Sequence, residues 1–236
     1  MDEPLIARGF WGPRQETPDR VADRLLAFLA GLDEVVGERV RWSASEASEA
    51  SGASGRSLAG PDDARRMIAD AFRANTDAPH LGINQAYDGS GQRVRKFRIS
   101  MGVGRYSESP NAHNSFVVRW AGAEALADPI LRRVAAAWDP DWGNVTSRSL
   151  RDALAGLQPA GRPGPDIGYL NYLSEGRAQA LPSGLDLQVV TLDEGGVIIG
   201  SGVSGDLLPL EKTAELAEVL RPSPAFAPTP TSRTKL

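Results

Sequence analysis

Trp138-Asp139-Pro140-Asp141-Trp142-Gly143 follows an apolar helical pattern and places two tryptophans and two carboxylates around one turn. Pro140 has a fixed φ and disfavours helical geometry at Asp139. The sequence therefore predicts that the helix ends there and that the chain turns sharply before Gly143. Such a turn is typical either of a core anchor or of a recognition surface, and both interpretations stay open. No reaction follows from this stretch by itself.

Upstream of this turn the pattern predicts one helix and, before it, two strands. The helix starts at Asp128-Pro129 and carries an apolar stripe made of Ile130, Leu131, Val134 and Trp138. Residues 96–103 and 115–121 alternate apolar with polar residues, as strands with one face in water do. We expect these two strands to pair antiparallel.

Further elements are predicted on both sides. Thr17 is a typical N-cap with Pro18 in the first helical turn, a second helix starts near Pro61, and Ser147 is placed to cap a short helix. Strands are predicted at residues 5–11, 185–189 and 197–199, and a last helix runs from Leu210 to Leu220.

The order of these elements is not a regular alternation of strand and helix, which disfavours a doubly wound parallel sheet. We predict an α+β fold, with a mixed or antiparallel sheet covered by helices in a single domain over residues 1–221. Residues 43–59 are rich in Ser, Ala, Glu and Gly and predict a mobile surface loop. Residues 222–236 are rich in Pro, Thr and Ser and predict a disordered tail.

Composition limits the function classes. The 236-residue chain has no cysteine, which excludes disulfides, thiolate metal sites and a cysteine nucleophile. The absence of a basic and apolar leader or of an apolar run of membrane length predicts a cytoplasmic protein without a membrane partner. The net charge is −4, and the segment from Pro222 contributes only Arg233 and Lys235 as charges, so the remainder is more acidic still. This disfavours nucleic acid and favours a basic partner.

Motifs of known enzymes are not evident. Gly200-Ser201-Gly202 lacks the spacing of a nucleophile elbow, and neither His80 nor His113 has the spacing of a zinc ligand. Asp139 and Asp141 are candidates for a shared divalent cation, although the flanking tryptophans favour a packing role for the turn. We therefore predict no catalytic residues, no cofactor and no metal.

The densest basic run is formed by Arg93, Arg95, Lys96 and Arg98. Contact with nucleic acid is one interpretation. The strand alternation favours another, in which Lys96 and Arg98 lie on the solvated face and discourage edge-to-edge aggregation.

Three segments together carry a resemblance to a known family. They are Phe10-Trp11-Gly12-Pro13-Arg14-Gln15-Glu16, the Trp138–Gly143 stretch, and Gly168-Tyr169-Leu170-Asn171-Tyr172-Leu173-Ser174. In order and spacing they resemble the immunity protein 52 family of bacterial polymorphic toxin systems, over roughly residues 10–220. The 43–59 stretch and the segment after Pro222 depart from the family pattern as additions.

The resemblance implies a non-catalytic protein that is encoded beside a toxin and protects the producing cell by binding it. It implies a cognate toxin with a nuclease domain of restriction-endonuclease-like fold as the partner. Our candidate partner-binding residues are Asp139, Asp141, Trp142, Tyr169 and Tyr172. Packing of the tryptophans and turn formation by the aspartates are the competing interpretations. A metal-dependent hydrolase that uses the two aspartates, and a structural adaptor, remain as alternatives.

Overall fold

The described residues of the protein form one antiparallel sheet of ten strands with helices packed against it, which confirms the predicted α+β class. The computed structural model describes residues 3–45, 55–107, 109, 113–157, 164–183, 188–193, 195–200 and 207–236. The strands are β1 Leu5–Trp11, β2 Arg41–Ala44, β3 Ser57–Leu58, β4 Ile83–Ser90, β5 Phe97–Val103, β6 Asn114–Trp120, β7 Trp142–Thr146, β8 Leu170–Leu173, β9 Val189–Thr191 and β10 Val197–Ile199. The helices are α1 Pro18–Val36, α2 Pro61–Ala74, α3 Ala127–Trp138, α4 Arg148–Leu154, α5 Glu175–Gln179 and α6 Leu210–Leu220.

The first strand lies in the interior of the sheet. The strand order is β3-β2-β4-β5-β6-β1-β7-β8-β10-β9, and every neighbouring pair is antiparallel. In β1, Gly9 faces Phe116 of β6 on one side and Gly143 of β7 on the other. The turn between α3 and β7 is thereby fixed to the middle of the sheet.

Two hydrophobic clusters cover different parts of the sheet. The larger one packs α1, α2 and α3 against one face of β1, β4, β5 and β6. The smaller one packs α4, α6 and a short 3-10 helix, Pro224–Phe226, against the opposite face of β7, β8 and β10. Because successive strand residues point to opposite faces, Trp142 belongs to the smaller cluster and Val145 to the larger.

The predicted caps and helix ends are confirmed. The Thr17 hydroxyl accepts a hydrogen bond from the Arg20 N–H at the start of α1, and the Ser147 hydroxyl accepts one from the Leu150 N–H at the start of α4. α3 ends where Asp139 adopts a left-handed conformation with φ of 48°. An aspartate tolerates this region better than most residues do.

Residues 222–236 differ from the sequence expectation of a disordered tail. Ala225, Phe226 and Thr229 of this segment are buried, and the first two belong to the smaller cluster. Composition alone predicted disorder, whereas specific side-chain contacts hold the segment. Of the 43–59 stretch, residues 46–54 lie outside the described residues, while Ser43 and Ala44 end β2 and Ser57–Leu58 forms β3.

The basic strand is also placed differently than expected. β5 lies between β4 and β6 inside the sheet, so the interpretation that Lys96 and Arg98 protect a sheet edge is wrong. Of the late strand expected at residues 185–189, residues 185–187 lie outside the described residues, and β9 begins only at Val189.

Candidate functional site at the Asp139–Asp141 turn

The end of α3 is held by two arginines from the start of the chain. The Arg14 guanidinium donates to the carbonyl of Trp138, the last α3 residue, at 2.9 Å and to that of Asp139, the C-cap, at 3.3 Å. Arg24 donates to the carbonyl of Ala137 over 2.9 Å. Buried Glu16 pairs with both guanidinium groups, at 3.3 Å and 2.8 Å. Two cations thus complement the negative end of the helix dipole.

Aromatic stacking ties the same two segments together. Trp11 and Phe116 stack on Trp138, with ring centroids 5.9 Å and 4.6 Å away. On the opposite face of the sheet, Phe10 stacks on Trp142 at 4.5 Å. The first and second segments of the family resemblance therefore meet in the core.

Arg14 adds a cation–π contact to this stack, because its guanidinium lies over the Trp11 ring, 4.5 Å from the ring centroid. Burial lowers the pKa of Arg14, and the charge of Glu16 opposes that shift. A cation over an indole face adds to the attraction.

Asp141 is the hub of the site and is completely buried. Its Oδ2 accepts hydrogen bonds from Arg177 Nη2 at 2.6 Å and from the Thr229 hydroxyl at 2.7 Å. Its Oδ1 accepts from the Ser174 hydroxyl at 3.1 Å and from the backbone N–H of Leu236 at 3.0 Å. Four donors, two from the start of α5 and two from the C-terminal segment, therefore converge on one carboxylate.

Arg177 is the buried cation of the hub, and its side chain is as inaccessible as that of Asp141. Its Nη1 donates to the carbonyls of Ala225 and Ala227 at 2.7 Å and 2.8 Å. Its Nη2 also contacts the Thr229 hydroxyl at 3.1 Å. The ion pair thereby fastens the C-terminal segment to α5 and to the turn.

Asp139 is the accessible carboxylate of the turn, with 53% of its side chain exposed. It forms an ion pair with Lys235 from the C-terminal segment. Tyr169 is half-buried, and its hydroxyl lies 3.1 Å from the Ser147 hydroxyl. Tyr172 and Trp142 are 4% and 5% exposed.

These placements divide the five candidate partner-binding residues. The structure gathers them around β7 and β8, where Gly143 faces Tyr172 in the register. The burial of Asp141, Trp142 and Tyr172 corresponds to the packing interpretation, because a partner cannot touch them without rearrangement. Asp139 and Tyr169 remain accessible.

Arg177 and Thr229 are residues of the hub that sequence reasoning missed. They lie 36 and 88 positions after Asp141, and no spacing rule connects them to it. The one available signal was the arginine in the segment after Ser174, since a buried carboxylate needs a cation nearby.

The arrangement leaves little capacity for metal binding. Both oxygens of Asp141 are engaged by hydrogen-bond donors, and the Asp139 carboxylate is paired with Lys235. Within the described ranges, no three potential ligands of the His, Cys, Asp and Glu types come together. None of the helices in that part of the chain has the length and apolarity that a membrane crossing requires.

Comparison with known proteins supports the family resemblance. The family model of immunity protein 52 matches residues 110–202, which contain the Trp138–Gly143 turn, β7 and β8. The resemblance is confirmed over this segment. No curated protein matches the chain. The solved structure of Pseudomonas aeruginosa T6SS protein PA0821 is similar at 14% identity and a TM-score of 0.46, covering 91% of this chain and 73% of that one.

The family match supports an immunity-type protein of toxin systems as the function class. It also favours a protein that is not an enzyme.

Proposed function

We propose that this chain binds and neutralises a cognate polymorphic toxin, and that the toxin is a nuclease of restriction-endonuclease-like fold neutralised in the cytoplasm. The observation that carries the proposal is the family match over residues 110–202, which includes the turn at the hub. Binding alone suffices for protection, because a protein that covers the toxin surface keeps the substrate out.

The proposed contact uses the accessible part of the turn. A nuclease cleft is basic, and a chain with net charge −4 is attracted to it and is oriented by its local charges. Asp139 and Tyr169 contact the toxin in this proposal. Asp141, Trp142 and Tyr172 act by holding the turn in place, since they are buried.

The test uses the toxin domain encoded by the neighbouring reading frame. Cells that produce this domain should survive only when the chain is co-produced, and the two purified proteins should form a complex. A neighbouring frame that encodes no toxin, or survival without the chain, contradicts the proposal.

Asp139→Asn tests the contact, because asparagine keeps the left-handed backbone and removes the charge. We expect toxin binding to weaken at least fivefold in 50 mM NaCl. The matched control is Asp77→Asn, which removes an exposed charge elsewhere and should change binding less than twofold. Equal affinities for the two variants would show that Asp139 is outside the interface.

Two measurements address the alternatives. Titration with magnesium, manganese or zinc should give neither binding heat nor thermal stabilisation, because the hub carboxylate is already engaged by four donors. Metal binding would favour the hydrolase. Capture of a protein other than a toxin as the specific partner would favour the adaptor.

A further inference from the structure

Half of one sheet face is uncovered within the described part of the chain. The buried strand residues of the smaller hydrophobic cluster come from β7, β8 and β10, Phe10 of β1 packs against it, and none of its buried members comes from β2, β4, β5 or β6. The residues that these four strands place on this face are mainly polar or small. They are Ser43, Asn84, Ala86, Asp88, Arg98, Ser100, Ser115, Val117 and Arg119.

Positive charge concentrates at one end of this bare region. Arg98 of β5 and Arg119 of β6 are directly opposite each other in the register. Lys96 lies two residues before Arg98, and Arg41 lies two residues before Ser43, which faces Asp88. We call Arg41, Lys96, Arg98 and Arg119 the basic face. Asp88 is the acidic residue paired with it in the register.

The basic face is only partly neutralised by the rest of the described structure. Like charges that face each other across neighbouring strands destabilise a sheet. Arg98 is partly compensated, with its Nε 3.9 Å from Asp88 and its Nη2 donating to the Ser45 hydroxyl at 3.0 Å. Arg119 is exposed and forms no side-chain hydrogen bond or ion pair with any other described residue. An anionic group bound between the two guanidinium groups would relieve this repulsion.

The chemistry of the face favours an acidic protein surface over a nucleic acid. Single strands bind on exposed aromatic rings within a basic groove, and the basic face has no aromatic side chain. Its charge is local, because the whole chain is acidic with a sequence pI near 5.3. Long-range attraction of a polyanion is therefore weak, whereas a carboxylate-bearing patch can dock by short-range pairing.

We infer that the basic face docks an acidic patch of the partner protein. This inference rests on the proposed function, in which that partner is the toxin. The basic face and the turn are separate contacts: Arg119 is paired with Ile6 at the start of β1, whereas the Asp141 N–H bonds to the carbonyl of Phe10 near its end.

Arg119→Glu is the decisive variant, measured with the toxin domain encoded by the neighbouring frame. We expect the dissociation constant in 50 mM NaCl to rise at least tenfold, and at least threefold for Arg119→Gln. In 500 mM NaCl the difference should shrink, because salt screens exposed charges. The urea midpoint of Arg119→Glu should equal or exceed that of the unmodified chain, since the introduced carboxylate faces Arg98.

The matched control is Arg20→Glu on α1. The Arg20 side chain is exposed and, like that of Arg119, has no side-chain partner among the described residues. It should change affinity less than twofold. If the unmodified chain binds toxin and both reversals behave alike, the inference is overturned while the proposed function stands. If the unmodified chain does not bind the toxin, both the proposed function and this inference fail. Binding of a 20-nucleotide RNA that Arg119→Glu abolishes would also overturn the inference, because the face would then be a nucleic-acid site.

Discussion

Replacing Asp141 by asparagine tests the hub with the least change in shape. The buried Arg177 guanidinium would lose its counter-charge, although it would keep the carbonyls of Ala225 and Ala227. Asparagine has one oxygen and one amino group. In either orientation of the amide, its NH2 group takes the place of a carboxylate oxygen and therefore faces hydrogen-bond donors, either Arg177 and Thr229 or Ser174 and the Leu236 N–H.

The expected cost follows from these contacts. Removing one partner of a buried ion pair costs about 3–5 kcal/mol, because the remaining charge is left without compensation. A domain is stable by roughly 5–15 kcal/mol, so the variant should unfold at a markedly lower urea concentration. The assay is urea unfolding followed by tryptophan fluorescence and circular dichroism, since two of the five tryptophans flank this turn.

Asp139→Asn is the internal control. It removes an exposed charge two residues away, where an ion pair contributes about 0–1 kcal/mol. Asp141→Asn combined with Arg177→Met should cost less than the sum of the two single changes, because the pair is then removed together. If Asp141→Asn were as stable as the Asp139→Asn variant, the buried ion pair would not hold the turn and our account of the hub would be refuted.

Three further predictions concern other parts of the fold. Removal of residues 222–236 should lower the unfolding free energy by about 2 kcal/mol or more in urea titrations, because Phe226 leaves the smaller cluster and Arg177 loses its carbonyl partners. An unchanged urea midpoint would instead support the disordered tail expected from composition. Gly143→Ala should lower the unfolding free energy by about 1–3 kcal/mol in the same assay, because the added Cβ would lie 2.5 Å from the Arg8 carbonyl oxygen. The control is Gly156→Ala, whose added Cβ meets nothing within 4 Å and which should leave the unfolding free energy unchanged. Hydrogen bonds from the backbone N–H groups of Arg93 and Gln92 lower the pKa of Glu38 from 4.5, so its carboxylate stabilises the fold above pH 4.5 and this contribution is lost as the pH falls through the lowered pKa. The urea midpoints of the unmodified chain and of Glu38→Gln should therefore differ more at pH 7 than at pH 3. The same difference at both pH values would contradict this.

The elements with clear periodicity were predictable from sequence. α1 has a cap, a proline at its start and an apolar stripe, and β5 and β6 alternate regularly. β7 was missed because all five of its residues are buried, so polar Asn144 and Thr146 break the alternation that marks a strand with one wet face. β4 was missed for a related reason, since Gln85 and Gly89 occupy inward positions that apolar residues fill in a typical strand.

The site was predictable in position but not in its contacts. Local chemistry located the turn, because proline and aspartate have strong backbone preferences. The partners of Asp141 come from residues 174, 177, 229 and 236, and such long-range pairing leaves no periodic trace. The composition of residues 222–236 predicted disorder, because it contains no trace of the specific contacts that Phe226, Thr229 and the carbonyls of Ala225 and Ala227 make.

The interior position of β1 affects how the protein is made. Its partners begin at Asn114 and at Trp142, so the first strand leaves the ribosome with both edges unpaired. At synthesis rates of about 5–20 residues per second, more than a hundred further residues take roughly 5–20 s to emerge. During that interval Leu5–Trp11 is an apolar strand open to pairing with other nascent chains. We therefore expect Leu5–Trp11 to need shielding from other nascent chains until the strands that begin at Asn114 and Trp142 have been made.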